Sequence, residues 1–282
     1  MKNKNNSKAN FYPSALTIAG SDSSGGAGIQ ADLRTFNAFA VYGCSAITAI
    51  TAQNPQKITA IQAIDSEVVG AEIDAVLAEI PIKFAKSGML FNQEIVRVVA
   101  EKVKKYNLQL ILDPVMVSTS GAVLLEQSAI EEIKKSLLGL AKVITPNIPE
   151  AELLLGQKIT NEKELIQAAQ KLAALYNTDV VLKGGHFANT PEAVDIVVLN
   201  QEAYRLKSPY LKNCRHSHGT GCTFSAALCA LLALGTPLDD SILDAKTFVF
   251  GSLAEPVRVG NNCEVMYPPE MDYSEHVSLI GI

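Results

Sequence analysis

The chain has 282 residues, 48% hydrophobic and 19% charged, with a formal net charge of −5. That balance suits a globular protein with a large core and excludes a fibrous, low-complexity or strongly basic chain, so nucleic acid is not an expected partner. The longest apolar run, Phe224 to Leu234, is shorter than the ~20 residues a membrane span needs.

Residues 1–12 read as a disordered polar tail, and "FYPSALTIAG" is too short and too interrupted by Pro13 and Ser14 for a signal-peptide core. From residue 13 to 282 apolar, β-rich runs alternate with stretches of helical period, and one domain is expected. "ALTIA" precedes a helix over 27–40, "AITAITA" one over 67–80, and "FAKSGML" one over 93–106. "LQLILDPVM" is followed by 128–138, and "AKVITPN" by 149–155 and 161–176. "DVVLKGG" leads to two extended runs about "NQEA", then to a helix over 220–234. Continuous apolar runs are central parallel strands covered on both faces, so the pattern predicts a three-layer α/β/α sandwich with a mostly parallel central sheet. The runs about "NQEA" predict an antiparallel hairpin at one sheet edge. The five cysteines (Cys44, Cys214, Cys222, Cys229, Cys263) are odd in number and scattered, which is no disulfide framework; a reducing cytoplasm is the expected setting.

Ligands in such sheets gather at the carboxyl ends of the strands. The glycine-rich turn "GSDSSGGAGIQADLRTF" stands at the first of them. Gly26 to Ala31 fits G-x-G-x-x-A, but the acid a dinucleotide ribose needs is missing from "AITAITAQN", and no Lys follows the glycines as a P-loop requires. Ile29, Leu33, Phe36 and Ala40 form the expected buried stripe of the helix, with Asp32 on its border. A carboxylate there needs a partner, which a substrate hydroxyl or ring amine could be. A second glycine turn, Gly219-Thr220-Gly221, opens an apolar helix whose first N–H groups make an anion site of backbone. Cys222 stands at that helix start, where a thiol pKa of about 8.5 is expected to fall. Cys214, His216, His218 and Cys222 lie close together but match no standard zinc spacing. Asp113 after "LQLIL" and Glu150 at a helix start are placed to hold Mg²⁺ against substrate phosphates, with Lys183 in reach of a nucleotide.

Seven stretches in this order, "ALTIAGSDSSGGAGIQADLRTF", "YGCSAITAITAQN", "KSGML", "LDPVM", "TPNIPEAELLLG", "VLKGGH" and "HGTGCTFSAAL", resemble the hydroxymethylpyrimidine/phosphomethylpyrimidine kinases of thiamine biosynthesis, within the ribokinase-like superfamily. The resemblance spans about residues 15 to 235. It implies an ATP- and Mg²⁺-dependent kinase, a homodimer, acting on 4-amino-5-hydroxymethyl-2-methylpyrimidine and then on its monophosphate. The first glycine loop would then wall the substrate pocket rather than grip ATP. Gly20 and Asp32 would hold the pyrimidine, Gln53 its ring edge, and Met89 and Val115 would be apolar contacts. Gly219, Thr220 and Gly221 would form the anion hole, with Cys222 where most of the superfamily carries an aspartate base. Asp113 and Glu150 would serve Mg²⁺–ATP, through water, and Lys183 the nucleotide. The chain departs from the family at "RVGNNCEVMYPPEMDYSEH" and at "STSGAVLL", which lacks a Lys and an Asp seen in relatives. A pyridoxal/pyridoxine kinase or dual-specificity enzyme of the same subfamily is the alternative, and a pyrimidine-binding protein without chemistry a remoter one.

Overall fold

The computed structural model describes residues 11–54, 56–116, 125–185, 191–212, 214, 218–261 and 263–282. The first strand, β1 (Ser14–Asp22), leads through the glycine turn into α1 (Gly28–Ala38). β2 (Tyr42–Asn54) folds back on β3 (Lys57–Ala63), and α2 (Ser66–Glu79) follows. β4 (Phe84–Ser87), α3 (Gln93–Tyr106) and β5 (Gln109–Leu112) come next. α4 (Gln127–Glu132) runs on through a π turn at 133–137 and a 3-10 turn at 138–140 into β6 (Ala141–Ile144). Two helices, α5 (Ile148–Leu155) and α6 (Glu162–Tyr176), precede β7 (Asp179–Leu182). The hairpin β8 (Glu192–Leu199) and β9 (Glu202–Pro209) follows, then α7 (Thr220–Leu234) and α8 (Leu238–Ala254). A small hairpin of β10 (Val257–Gly260) and β11 (Cys263–Val265) lies apart from the main sheet, and β12 (Ser278–Gly281) ends the chain.

Ten strands form one sheet in the order β12-β9-β8-β7-β6-β5-β4-β1-β2-β3. The six from β7 to β2 are parallel. From β1 the order runs one way to β2 and the other way from β4 to β7. Parallel crossovers are right-handed, so the connecting helices must lie on opposite faces. They do. One core joins residues of α2 to α6 to one face, and Phe36 of α1 joins α7 and α8 on the other. The crevice where the order reverses, between β1 and β4, is where such sheets bind ligands.

The expected hairpin is β8–β9, closed by Asn200 and Gln201, both at positive φ (50° and 72°), the geometry of a two-residue primed turn. A second antiparallel pair, β2–β3, lies at the opposite edge, so the sheet is antiparallel at both ends rather than one. β3 carries no buried run, which is why its residues did not read as a strand. In α1 the buried side chains are Ile29, Ala31, Asp32, Thr35 and Phe36; Ala40 lies past the helix end, exposed at φ 53°. The expected stripe is thus rotated toward Asp32. Of the tail only Phe11 and Tyr12 are among the described residues, both exposed. No helix among the described residues is long and apolar enough to cross a membrane.

Candidate active site

At the carboxyl end of β1 the carboxylate of Asp22 organises the glycine turn. It accepts from Ser24 N (2.8 Å), Ser24 Oγ (2.7 Å) and Ala27 N (2.9 Å), an Asx turn continued to the next helix. Gly25 and Gly28 have φ of 75° and 58°, and a Cβ on Gly28 would collide with the carbonyl oxygen of Gly20. Bare backbone is required there for helix and strand to touch. Gly20 in turn faces Met89: a Cβ at Gly20 would stand 2.6 Å from Met89 Cε. Thr48 Oγ1 donates to Met89 O at 2.6 Å and fixes that turn. Gln53, on β2, holds Thr51 Oγ1 (3.2 Å) through Oε1, while its Nε2 lies 3.0 Å from His218 Nε2. The same ring nitrogen is 3.0 Å from Asp22 Oδ2. One nitrogen cannot serve both. Burial acts to raise the Asp22 pKa, but the hydrogen bonds from His218, Ser24 and Ala27 outweigh it and hold the carboxyl at about 2. With Asp22 ionised, the ring N–H donates to it, and the Gln53 amide nitrogen gains no acceptor from His218.

The second glycine turn packs directly on the first. Gly219, the N-cap of α7 at φ 86°, lies so close to Gly26 O that a Cβ would overlap it. The N-terminus of α7 therefore opens beside the first loop, with no acidic residue in its first turn. A Cβ on Gly221 would lie 2.9 Å from Lys183 Nζ and 3.4 Å from Asp113 Oδ2. Lys183 Nζ donates to Asp113 Oδ1 at 2.9 Å, and Thr145 Oγ1 to the same oxygen at 3.2 Å. Glu150 completes a capping box with Asn147, as the start of α5 requires, and accepts from Met116 N at 3.4 Å. Burial, opposed by Lys183 and reinforced by Asp113, pushes the Glu150 carboxyl up to about 8. Val115 stands in the turn after β5, its N–H on Asp113 O at 2.8 Å.

The start of α7, a lysine and two carboxylates thus gather at the carboxyl ends of the parallel strands. The phosphomethylpyrimidine kinase family matches residues 22–266. The chain belongs to that family. The Haemophilus influenzae hydroxymethylpyrimidine/phosphomethylpyrimidine kinase is 45% identical over 250 residues, covering 87% of this chain and 92% of that one. The phosphomethylpyrimidine kinase structure from Clostridium difficile superposes with a TM-score of 0.74 at 42% identity, over 84% of this chain and 97% of the other. An ADP complex of Bacillus subtilis pyridoxal kinase gives 0.83 at 35%, over 92% and 98%. The chain spans about half (51%) of a longer relative, the thiamine biosynthesis bifunctional protein ThiED of Geobacter sulfurreducens, at 41% identity.

Against this family frame two expectations are corrected. Asp32 offers no surface to a ligand: it is fully buried, with Lys86 Nζ at 2.9 and 2.8 Å and Thr17 Oγ1 at 2.6 Å. The partner its carboxylate needed is a lysine of β4. Cys222 departs in the other direction, because burial pushes its thiol up to about 11. Lys86 and the Gly28 N–H pull it down, Asp32 and Asp113 push it up, and the helix start does not prevail. Sequence reasoning gave no separate role to Asp22 and Thr145, weighed His218 only as a zinc ligand, and passed over Lys86 and Asp195, which accepts from Gly184 N (2.9 Å) and from Lys246 Nζ (2.7 Å). Lys86 had a signal: a charged residue inside a buried strand run needs an opposite charge, and Asp32 needed one too. Among the described residues no group of three or more His, Cys, Asp or Glu is placed to hold a metal by itself. His216, part of the zinc spacing considered above, lies outside the described residues.

Proposed function

We propose that this chain transfers the γ-phosphoryl of ATP to the hydroxymethyl group of 4-amino-5-hydroxymethyl-2-methylpyrimidine, and then a second phosphoryl to the monophosphate. The observation that carries this reading is the contact between the two glycine turns, Gly219 lying against Gly26 O; on this reading the start of α7 would be an anion hole beside an acceptor wall of Gly20, Met89 and Gln53. A flat heteroaromatic ring would lie on Gly20 between Met89 and Val115, with the Gln53 amide on its nitrogen edge. Its hydroxymethyl group would point toward Cys222, and the N–H groups of Gly219, Thr220 and Gly221 would receive the transferring phosphoryl. Lys183 would leave Asp113 for the nucleotide phosphates.

Asp113 and Glu150 fit Mg²⁺: both offer hard oxygens, and their mutual repulsion, which helps raise Glu150, is what a divalent cation relieves. Bound there through water, Mg²⁺ would neutralise charge on the phosphates. Cys222 would stand nearest the hydroxyl; as a neutral thiol it only orients the O–H, and the small thiolate fraction takes the hydroxyl proton, becoming S–H, as the P–O bond forms. A loose phosphoryl-transfer transition state tolerates this, since it depends on position and charge more than on a base. All five cysteines are free thiols, which suits a reducing cytoplasm.

The pyridoxal kinase reading is favoured by one observation, the higher TM-score of the Bacillus enzyme (0.83 against 0.74). The purified chain, given Mg²⁺–ATP and either the hydroxymethylpyrimidine or pyridoxal, decides between them. We expect pyrimidine monophosphate followed by diphosphate. Faster turnover of pyridoxal, or no diphosphate, overturns the proposal.

A further inference from the structure

Lys86 is the one cation among the described residues that the core buries completely, and nothing in the reaction as outlined uses it. A buried ion pair is seldom there for stability, because desolvating two charges costs about what their attraction returns. Its placement is informative. Asp32 lies one turn along α1 from Gly28, whose N–H is directed at the Cys222 sulfur. On the other side, a Cβ at Gly88 would stand 3.0 Å from Lys86 Nζ and 3.1 Å from Ala19 Cβ, so the turn that carries Met89 rests on the ammonium. The pair therefore pins α1 to β4 directly beneath both the substrate wall and the thiol.

The charged groups around Cys222 are Lys86 from β4, Asp32 from α1, Asp113 beyond β5 and Lys183 beyond β7. They sum to zero, each lysine bonded to one carboxylate. A sulfur in that field has no net positive charge to stabilise a thiolate. We infer that Lys86 and Asp32 form a positioning pair for the phosphoryl transfer, which fixes the Gly28 N–H and the Met89 turn against Cys222 and sets the charge that its sulfur faces. The inference rests on the reading of Cys222 as the residue beside the reacting hydroxyl, and the first test below is independent of turnover.

Cys222 in the intact protein is alkylated with iodoacetamide at pH 8, and the modified Cys222 peptide is quantified by mass so that the other thiols do not interfere. Asp32→Asn keeps the volume and leaves the ammonium without its counter-charge; alkylation should rise about tenfold, as one pKa unit of added thiolate requires. Thr17→Val, nearly isosteric, removes one donor from Asp32 but leaves both charges in place, so its alkylation should stay within about twofold of the unaltered protein. The combined Asp32→Leu/Lys86→Met variant removes both charges and should react like the unaltered protein. Unchanged or slower alkylation in Asp32→Asn overturns the inference, as does a rise of the same size in Thr17→Val. So does a combined variant as fast as Asp32→Asn, which would mean a loosened core. In turnover, Asp32→Asn should shift the pH profile of the first phosphorylation downward and leave that of the second, whose acceptor is already ionised. Should Cys222→Ala retain full activity in both steps, the functional reading of Cys222 fails while the alkylation result still decides the pair.

Discussion

Asp22 carries four hydrogen bonds on one carboxylate, from Ser24 N, Ser24 Oγ, Ala27 N and His218 Nε2, at 2.7 to 3.0 Å. Its pKa of about 2 lies below the ordinary value of 3.8. Between those two values the unfolded chain binds more protons than the folded one, so the stabilisation is complete above pH 4 and is lost as pH falls through 2. Asp22→Asn should cost about 2 kcal/mol at neutral pH, and the gap to the unaltered protein should close toward pH 2, as urea unfolding at several pH values would reveal. A gap that stays constant would mean packing rather than charge. Gln53 makes a different prediction. Gln53→Ala should weaken pyrimidine binding by roughly 1–3 kcal/mol, by leaving a ring amine or nitrogen unpaired, while ATP affinity holds. Calorimetric titration of each ligand separates the two. At this scale the sequence was readable where a residue type is demanded by backbone, as at Gly28 and Gly219, and misleading where a side chain's partner lies far along the chain. The Asp32 carboxylate is 54 positions from the lysine that binds it. For the thiol of Cys222 the helix start and burial pull in opposite directions, and burial decides.

Among the elements, α7 depends most on its first residue. Gly219 combines a left-handed backbone with contact against Gly26 O, so Gly219→Ala faces both a φ penalty and a collision. We expect destabilisation above about 1 kcal/mol. A larger loss should appear in kcat, because on the proposed reading the anion hole would move away from the acceptor wall. A melting curve and steady-state kinetics on one preparation test both, and an alanine variant with an unaltered Tm and kcat would show that the turns need not touch. Helix boundaries were legible because their ends are written in short polar signals: Asn92 caps α3, Asn147 and Glu150 form the box of α5, and Asn161 caps α6. Central strands were legible as apolar runs. β3 was not, since five of its seven residues are exposed and its only pairing is with β2, next to it in the chain. The long α8 likewise has no single apolar stripe, because it is buried by α7 on one side and covered by the C-terminal turn around Tyr273 on another.

For the whole molecule, β3 leaves the sheet with an open edge, and folded proteins generally cover such an edge or blunt it. Ile50, Ala52 and Ala60 are exposed beside it. We propose that a second copy covers this edge, and sedimentation should give twice the chain mass of 30.2 kDa. A species at the single-chain mass, at the concentrations used for turnover, excludes it. One property of the sheet bears on how such a catalyst can move. A phosphoryl donor must be kept from water until the acceptor is seated, and many kinases manage this by swinging two lobes together. Here the strands that would carry the acceptor wall on the proposed reading, β1, β2 and β4, are hydrogen-bonded in unbroken succession to β5, β6 and β7, which would carry the nucleotide side. No hinge can open between them without tearing the sheet. On the proposed reading, the donor would therefore be kept from water on one unbroken sheet rather than between two lobes that swing together.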